Sequence, residues 1–229
     1  MAASKPTQRR GSGRASRRRE LVKATRELFD RRGMQEAPIE EIARSVGIAR
    51  GLIYREFSSK DELYVLTVTD YLDELDGLLE TAVATAAEPT AQLEQVAEAF
   101  AGFCGRYPAF VDSSLALMRR PAQELNELVS EAVWLSLGQG MARCLGQVAA
   151  VLRSGDERGD FAVADPDYMA NFLWTQMLGA MHLVRIRVGV KQAGPGVPAL
   201  FKVSQDEVVR SCVASAMSLV RPATPPSRP

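Results

Sequence analysis

Five residues between positions 50 and 60 have types and spacing suited to contacting nucleic acid. Arg50, Tyr54, Arg55 and Lys60 supply cationic and hydroxyl groups, and Gly51 leaves the backbone bare beside them. A lysine or a tyrosine hydroxyl suits phosphate oxygens, whereas an arginine fork suits guanine. Because glycine within a helix costs on the order of 1 kcal/mol relative to alanine, Gly51 indicates a place where the backbone approaches a partner closely.

The charges along the chain are unevenly distributed, although its 229 residues sum to a net charge of zero. Residues 1–60 contain 15 Lys and Arg against 7 Asp and Glu, a net charge of +8. Residues 61–229 contain 13 against 21, a net charge of −8. A basic surface gains affinity for a polyanion by releasing its counterions. The distribution therefore predicts that one end of the chain binds nucleic acid.

Short helices are the elements that would position these side chains. In the stretch IARSVGI, Ala43 permits close packing of a second helix, Gly47 suits the left-handed backbone of a turn, and Ile48 can fill the space beneath. This pattern predicts a helix-turn-helix at about 38–57, whose second helix would enter the major groove of DNA. We expect its interior to contain Leu21, Leu28, Phe29, Ile39, Ile42, Val46, Ile48, Ile53 and Phe57.

Helical periodicity also dominates the rest of the chain, and no segment shows a convincing strand pattern. The predicted fold is all-α with about nine helices, near 17–32, 38–45, 50–56, 60–87, 90–106, 109–118, 121–153, 166–190 and 204–221. Residues 1–16 are predicted to be a disordered basic arm and 222–229 a disordered tail. Ser59 and Glu62 have the spacing of a capping box, which predicts that a long helix begins beside Lys60.

Residues 17–77, especially LFDRRGMQEAPIEEIARSVGIARGLIYREFSSKDEL, resemble the DNA-binding domain of TetR-family (tetracycline-repressor-like) transcriptional regulators. The ordered series of Phe, Gly, Ile-Ala, Gly-Ile, Gly, Tyr, Phe and Ser-Lys carries the resemblance. It implies a DNA-binding domain at 17–77 and a helical ligand-binding and dimerisation domain at 78–221. It also implies that Tyr54 and Lys60 contact phosphates.

Three residues depart from the family pattern. Ala37 stands in place of the usual capping Thr, Leu52 in place of Thr or Ser, and Glu56 in place of the common His. Leu52 cannot donate to a phosphate but can contact a thymine methyl group. Glu56 is expected to repel phosphate, so these departures bear on the base contacts and leave the fold prediction unchanged.

The predicted DNA-binding residues come from two parts of the chain, the third helix with the start of the fourth and the N-terminal basic run. They are Arg50, Gly51, Leu52, Tyr54, Arg55 and Lys60, together with Arg17 and Arg18 from the basic run at 9–19. For the basic run, the alternative is a solvated tail. For Arg50, the alternatives to contact with guanine are a phosphate contact and a surface salt bridge.

Two further groups of residues are predicted for the C-terminal part. An apolar pocket would be lined by Phe100, Phe103, Tyr107, Phe110, Leu117, Met118, Trp134 and Met141, although the same residues suit an ordinary packed core. A dimer interface would contain Phe172, Trp174, Met177, Met181, Val209, Val213 and Ala216, because the segment 168–184 carries no charge on any face.

The expected protein is a homodimeric, cytoplasmic DNA-binding regulator. By resemblance, it would be a repressor released from a near-palindromic operator by a small, largely apolar ligand. A ligand-independent global or architectural DNA binder and a helical enzyme with a DNA-binding segment stay open as alternatives. One histidine (His182), three scattered cysteines and no Gly-rich phosphate loop argue against the enzyme. We therefore expect no enzymatic activity, cofactor or metal site, and no membrane association.

Overall fold

The computed structural model describes residues 7–33 and 38–222, and these residues form ten helices and one β-hairpin. The helices are α1 (Thr7–Arg32), α2 (Ile39–Ser45), α3 (Arg50–Glu56), α4 (Lys60–Thr85), α5 (Pro89–Arg106), α6 (Pro108–Met118), α7 (Ala122–Leu128), α8 (Glu131–Glu157), α9 (Pro166–Ile186) and α10 (Gln205–Val220). The strands β1 (Val188–Gly194) and β2 (Val197–Lys202) lie between α9 and α10. No helix in the described part of the chain is long and apolar enough to cross a membrane.

The described residues group into two compact units. The first contains the chain up to Tyr71 together with Asp112–Gln139, and the second contains Leu72–Val111 and the chain from Gly140 onward. The first unit therefore joins the helix-turn-helix and the first half of α4 to residues of α6, α7 and α8. The reason is an apolar cluster in which Leu125, Val129 and Val133 pack with Val65 of α4.

The helical prediction is confirmed in outline, with three differences in detail. The first concerns α1, which begins at Thr7, within the predicted arm at 1–16. Its early turns lack the apolar residues that make a helix visible as a periodic pattern. They instead carry arginines such as Arg14, which pairs with Glu56 of α3 at 3.1 Å. The pairing partner is distant in sequence, so periodicity gave no sign of it.

The second difference is the hairpin, which replaces the predicted end of a helix at 166–190. Arg187 has a left-handed backbone with φ of 64° and ends α9, because a left-handed residue cannot continue an α-helix. Strands β1 and β2 then pair in antiparallel register, with Gly189 opposite Phe201. The Phe201 ring lies over Gly189 so closely that a Cβ atom there would come within 2.3 Å of it.

The third difference divides the predicted helix at 121–153 into α7 and α8. Val129 has an extended backbone, with φ of −128° and ψ of 158°, which ends α7. Its buried side chain joins the Val65 cluster of the first unit. The break between α7 and α8 thus occurs where Val129 is buried. The predicted cap position Ala37 and the termini at 1–6 and 223–229 lie outside the described residues.

Apolar packing forms the core of the second unit. One cluster of buried residues joins α5, α8, α9 and α10, and it contains Leu93, Ala149, Val151, Leu152, Phe161, Val163, Ala170, Leu173, Ala216, Met217 and Val220. All three cysteines are buried free thiols. No group of three or more His, Cys, Asp or Glu side chains that could hold a metal ion occurs among residues 7–33 and 38–222.

Candidate nucleic-acid interface

The turn between α2 and α3 has the geometry expected of a helix-turn-helix. Gly47 adopts φ of 69°, a backbone conformation that favours glycine. Its N–H donates to the Arg44 carbonyl at 3.1 Å, and the Ile48 N–H donates to the Ala43 carbonyl at 3.0 Å. These bonds close the end of α2 and redirect the chain into α3. The predicted turn at Gly47 is therefore confirmed.

Helix α3 has one buried and one exposed face. Ile53 is buried at 1% exposure and anchors the inner face. Tyr54 is 45% exposed, the Arg50 side chain is 59% exposed, and Arg55 is also exposed. No atom lies within 4 Å of the position that a Gly51 Cβ would occupy. The outer face thus combines two cations, a phenol and an open stretch of backbone.

Of the predicted interior, seven residues are buried, namely Leu21, Leu28, Phe29, Ile39, Ile42, Ile53 and Phe57. Val46 and Ile48, in the turn, are half-buried. Leu52 is also half-buried, so only part of its side chain faces solvent. The inner face of the helix-turn-helix is therefore largely the one that the sequence predicts.

Arg50 already has a partner on the protein surface. Its guanidinium Nη1 lies 2.5 Å from the Glu40 carboxylate of α2, and its Cζ lies 5.6 Å from the centre of the Tyr54 ring. Both Arg50 and Glu40 are well exposed, so the ion pair is screened by water. A phosphate or a guanine can therefore replace Glu40 at small cost.

Lys60 begins α4 close to α3. Its Nζ lies 4.8 Å from the centre of the Tyr64 ring, a cation–π arrangement that leaves the ammonium group exposed. Tyr64 is half-buried, and its ring makes an edge contact with Phe29 at 5.0 Å. Burial raises the pKa of Tyr64, although Lys60 opposes the shift. Tyr64 therefore stays neutral, and its ring packs against the Lys60 ammonium group.

Glu56 does not lie on the outer face, contrary to the expectation that it would repel phosphate. It is only 7% exposed, and its carboxylate pairs with Arg14 at 3.1 Å and with Arg17 at 3.6 Å. Arg14 Nη2 also donates to the Arg55 carbonyl at 3.3 Å. The carboxylate therefore ties α1 to the end of α3, and its charge is balanced by arginines of the same chain.

Arg18 is a packing residue rather than a free cation. Its Nη2 donates to Glu62 at 3.0 Å, its Nη1 donates to the Glu56 carbonyl, and its guanidinium lies 4.6 Å from the centre of the Phe57 ring. The donors of Arg18 are engaged inside the unit, and its contact with DNA stays a prediction. Arg17 is half exposed and is partly neutralised by Glu56.

Glu62 is the centre of the network that fixes the start of α4. It is 3% exposed and accepts bonds from the Ser58 N–H at 2.6 Å, from the Ser58 hydroxyl, and from Ser130 at 3.3 Å. The Ser59 hydroxyl accepts from the Glu62 N–H at 3.0 Å. The Ser59 half of the capping box is thus present, but the carboxylate bonds to Ser58 rather than to Ser59.

The ionisation of Glu62 follows from these contacts. Burial alone raises the pKa of a carboxyl group, but the hydrogen bonds from Ser58 and the charge of Arg18 outweigh it. The pKa of Glu62 therefore lies below its usual value. The spacing of Ser59 and Glu62 predicts the cap of α4, but it does not predict the contact of Glu62 with Arg18. The available signal was the spacing of Arg14 and Arg18, which places both on one face of a helix.

Comparison with known proteins agrees with this geometry. The sequence profile of bacterial regulatory proteins of the tetR family matches residues 21–66. That segment contains the turn at Gly47, the exposed face of α3 and the start of α4 at Lys60. Residues 21–66 are thus similar to the DNA-binding segment of tetR-family regulators.

Curated relatives within the TetR family include regulators of opposite sign. The transcriptional activator FasR of Mycolicibacterium smegmatis is 35% identical over 90 residues, which is 39% of this chain and 41% of FasR. The transcriptional repressor KstR2 of Rhodococcus jostii is 27% identical over 150 residues, which is 66% of this chain and 70% of KstR2. The chain thus spans about two fifths of the length of FasR.

Solved structures show that the TetR-family fold extends over most of the chain. The ketosteroid transcriptional regulator KstR2 of Mycobacterium tuberculosis has a TM-score of 0.59 at 21% identity, covering 90% of this chain and 96% of that chain. The TetR-family regulator PfmR of Thermus thermophilus has a TM-score of 0.58 at 22% identity, covering 87% and 97%. At this level of identity the likeness concerns the fold.

Several residues predicted to line a TetR-type pocket pack against other side chains of the second unit. Phe103 and Phe110 are buried and make an edge contact with each other at 5.1 Å, and Phe100 packs on Trp174 at 4.9 Å. The Tyr107 hydroxyl donates to Glu74 at 2.9 Å. Phe100, Phe103 and Phe110 are therefore well packed, and the assignment of the whole group to a pocket stays a prediction.

The remaining pocket candidates are Leu117, Met118, Trp134 and Met141. Leu117 and Trp134 pack against the Val65 cluster of the first unit. Met118 is 49% exposed, and Met141 is half-buried. Sequence spacing grouped these residues, but a helix places successive apolar residues on faces that pack against different neighbours.

The residues predicted for a TetR-type dimer interface lie mostly on inner faces. Trp174, Met177 and Met181 are buried within the second unit, whereas Phe172 is 44% exposed. On α10, Ala216 is buried, and Val209 and Val213 are half-buried. The apolar face of α9 is mainly covered by α5 and α10, and a part for Trp174, Met177 and Met181 in a dimer interface stays a prediction.

Proposed function

We propose that the protein is a cytoplasmic, homodimeric transcriptional regulator that binds a near-palindromic DNA operator. The observation that carries this proposal is the outer face of α3, where Arg50, Tyr54 and Arg55 are exposed around an uncovered Gly51. A helix with such a face fits the major groove, and Lys60 and Tyr54 are suited to hold phosphates on either side of the base contacts. Selection of binding sites from a random duplex pool, followed by footprinting, tests the proposal.

Replacing Lys60 with alanine should weaken binding to every duplex by a similar factor. Lys60 would contact phosphate, which is the same in all sequences, so its loss should also reduce the salt dependence of binding by about one released counterion. Fluorescence anisotropy over a series of salt concentrations measures both effects. Lys191→Ala removes an exposed lysine of the hairpin and serves as the control. A sequence-dependent loss for Lys60→Ala would contradict its assignment as a phosphate contact.

The dimer would form through the outer surfaces of α9 and α10. Phe172, Leu183 and Leu219 are each between 39% and 44% exposed there, and large exposed apolar side chains grouped on one surface often mark an interface. Small residues, including Ala180, Ser211 and Ser215, line a shallow groove between these helices and permit close approach. Twofold symmetry of the protein would be matched by the symmetry of the operator.

Replacing Phe172 with glutamate should convert the dimer into a monomer, because it would bury a charge in an apolar contact. Analytical ultracentrifugation at micromolar concentration measures the change. Leu135→Glu alters another exposed apolar residue of the first unit, and it should leave the dimer intact. A monomeric wild-type protein, or equal dissociation by both variants, would contradict the proposed interface.

We also propose that a small, largely apolar ligand releases the protein from DNA and relieves repression. A narrow apolar cavity of about 30 Å³ lies in the second unit, with Leu79, Phe100 and Trp174 in its lining. It has room for about one water molecule, so a ligand would have to part the helices around it. Support for an apolar ligand also comes from the ketosteroid regulator KstR2 among the structural neighbours, because steroids are largely apolar.

Helix α4 would link the ligand to DNA binding. Its first residues, including Lys60, belong to the first unit, and Leu79 in its second half lines the cavity. A ligand that binds one position of α4 better than another shifts the population toward that position. A coupling of about 2 kcal/mol would weaken operator binding roughly thirtyfold. A DNA-release screen with neutral apolar, anionic and polar compounds tests this; release by polar, highly charged compounds alone would contradict it.

A further inference from the structure

A cleft of about 580 Å³ lies in the second unit at the base of the hairpin. Its walls come from the end of α5, the start of α6, the end of α9, both strands and the start of α10. Its volume falls in the range of small-molecule sites, about 300–1,000 Å³. It is much larger than the apolar cavity of about 30 Å³ and shares no lining residue with it.

The charges that line this cleft are all positive. Arg185, Arg187 and Lys202 contribute to its surface, and no aspartate or glutamate does. Across residues 7–33 and 38–222, neither Arg187 nor Lys202 has a carboxylate within salt-bridge distance. Elsewhere on this chain exposed arginines do pair, as Arg143 does with Asp76 at 3.0 Å. The two unpaired cations therefore create a local positive potential that favours an anion.

The hairpin holds these two cations at one edge of the cleft. The Val203 N–H donates to the Arg187 carbonyl at 3.0 Å, and Lys202 pairs in register with Val188. Arg187 also keeps a left-handed backbone with φ of 64°, a conformation that an L-residue other than glycine adopts at a cost. The backbone pairing thus places Arg187 and Lys202 on neighbouring parts of the hairpin base, and both side chains line the cleft.

The rest of the cleft lining is largely apolar. Val111, Met181 and Val184 contribute to it, and the flexible thioether of Met181 can adapt to different shapes. At the start of α10, Gln205 adds an amide group beside the cations. Its side chain lies against Gly105 of α5, where a Cβ atom would come within 2.3 Å of the amide nitrogen. A ligand that matches both the cationic and the apolar residues of this lining needs an anionic head and an apolar body.

We propose that this cleft binds an amphipathic carboxylate, with the carboxylate between Arg187 and Lys202 and the apolar body against Val111, Met181 and Val184. An arginine can donate two parallel hydrogen bonds to a carboxylate, and a nearby lysine adds a third donor. The site is distinct from the DNA-binding face and from the apolar cavity assigned to the releasing ligand. It therefore goes beyond the proposed regulatory function.

Isothermal titration calorimetry of the full chain with decanoate and with decan-1-ol tests this proposal, since the two probes share the apolar body and differ in charge. Decanoate should bind one site per chain at least about tenfold more tightly than decan-1-ol. The double variant Arg187→Gln with Lys202→Gln should lose this preference. Lys191→Gln, which removes a charge from β1 outside the cleft, should retain it.

Two further measurements separate the parts of the proposal. Val184→Phe should weaken decanoate binding by filling the apolar part of the cleft. Lys202→Gln alone should also weaken decanoate binding, and it replaces the double variant if that variant does not fold. Inorganic phosphate should not displace decanoate. Unchanged decanoate affinity in Lys202→Gln and Val184→Phe, equal affinity for the two probes, or displacement by phosphate at matched concentration would each overturn the proposal.

Discussion

Replacing Glu62 with alanine is expected to lower the free energy of unfolding by about 3 kcal/mol. The change removes the acceptor for the Ser58 N–H, for the Ser58 hydroxyl and for Arg18, which is only 28% exposed. The loss is large because several partly buried hydrogen bonds, including that of Arg18, are removed together. Chemical denaturation followed by circular dichroism measures it.

Asp61→Ala is the matched control for Glu62→Ala. Asp61 is the neighbouring carboxylate on the same turn of α4, and it pairs with Arg120 at 3.0 Å on the surface, where both side chains are at least one third exposed. An exposed pair contributes about 1 kcal/mol or less. Equal losses of stability in the two variants would contradict the structural role assigned to the Glu62 network.

The same carboxylate predicts a dependence of stability on pH. Because the pKa of Glu62 is lower in the folded chain than its usual value of 4.5, ionised Glu62 stabilises the fold fully above that value. The contribution should disappear as the pH falls below 4.5 and through the folded pKa. Stability of the wild-type chain should thus fall more steeply over this range than that of Glu62→Gln. Parallel curves would contradict the lowered pKa.

Replacing Gly51 with leucine is expected to change stability and DNA binding in opposite directions. Gly51 is the second residue of α3, its φ is not left-handed, and no atom lies within 4 Å of the position that a Cβ atom would take. Leucine should therefore stabilise the helix by up to about 1 kcal/mol. Its side chain would occupy the space where the backbone meets DNA, and affinity should fall by roughly tenfold or more.

Gly77→Leu provides the control for this prediction. Gly77 is an exposed helical glycine of α4, and the space around its Cβ position is equally open. This variant should gain stability without losing affinity for DNA. Anisotropy titrations and denaturation curves of both variants make the comparison. If Gly51→Leu bound DNA as tightly as Gly77→Leu, the close approach of DNA to α3 would be refuted.

The sequence predicted the helix-turn-helix well because its signals are local. Gly47 needs a left-handed backbone, Ile53 faces inward, and Tyr54 faces outward, and each follows from spacing within a few residues. The role of Glu56 depends instead on Arg14, 42 positions earlier in the chain. A charge that is expected to face solvent becomes buried when a distant residue neutralises it, and no local pattern contains that information.

The predicted pocket and the hairpin also depend on contacts between residues that are not neighbours in sequence. Apolar spacing grouped Phe100 with Trp134, but Phe100 packs on Trp174 of the second unit, and Trp134 packs against the Val65 cluster of the first. The hairpin follows from the left-handed Arg187 and from a cross-strand contact between Gly189 and Phe201, neither of which has helical or alternating periodicity. Its cations were therefore not predicted to form part of any site.

The contact of α3 with DNA bases is tested most directly by Arg50→Ala, assayed on the selected operator, on each single-base variant of it and on random duplex. Arg50 is exposed and contacts Glu40 and Tyr54 at the surface. Its loss should reduce operator affinity by about 1–3 kcal/mol and abolish discrimination at one base pair, with a smaller loss on random DNA. Equal losses on the operator and on random duplex, with discrimination intact at every position, would show that Arg50 does not contact a base.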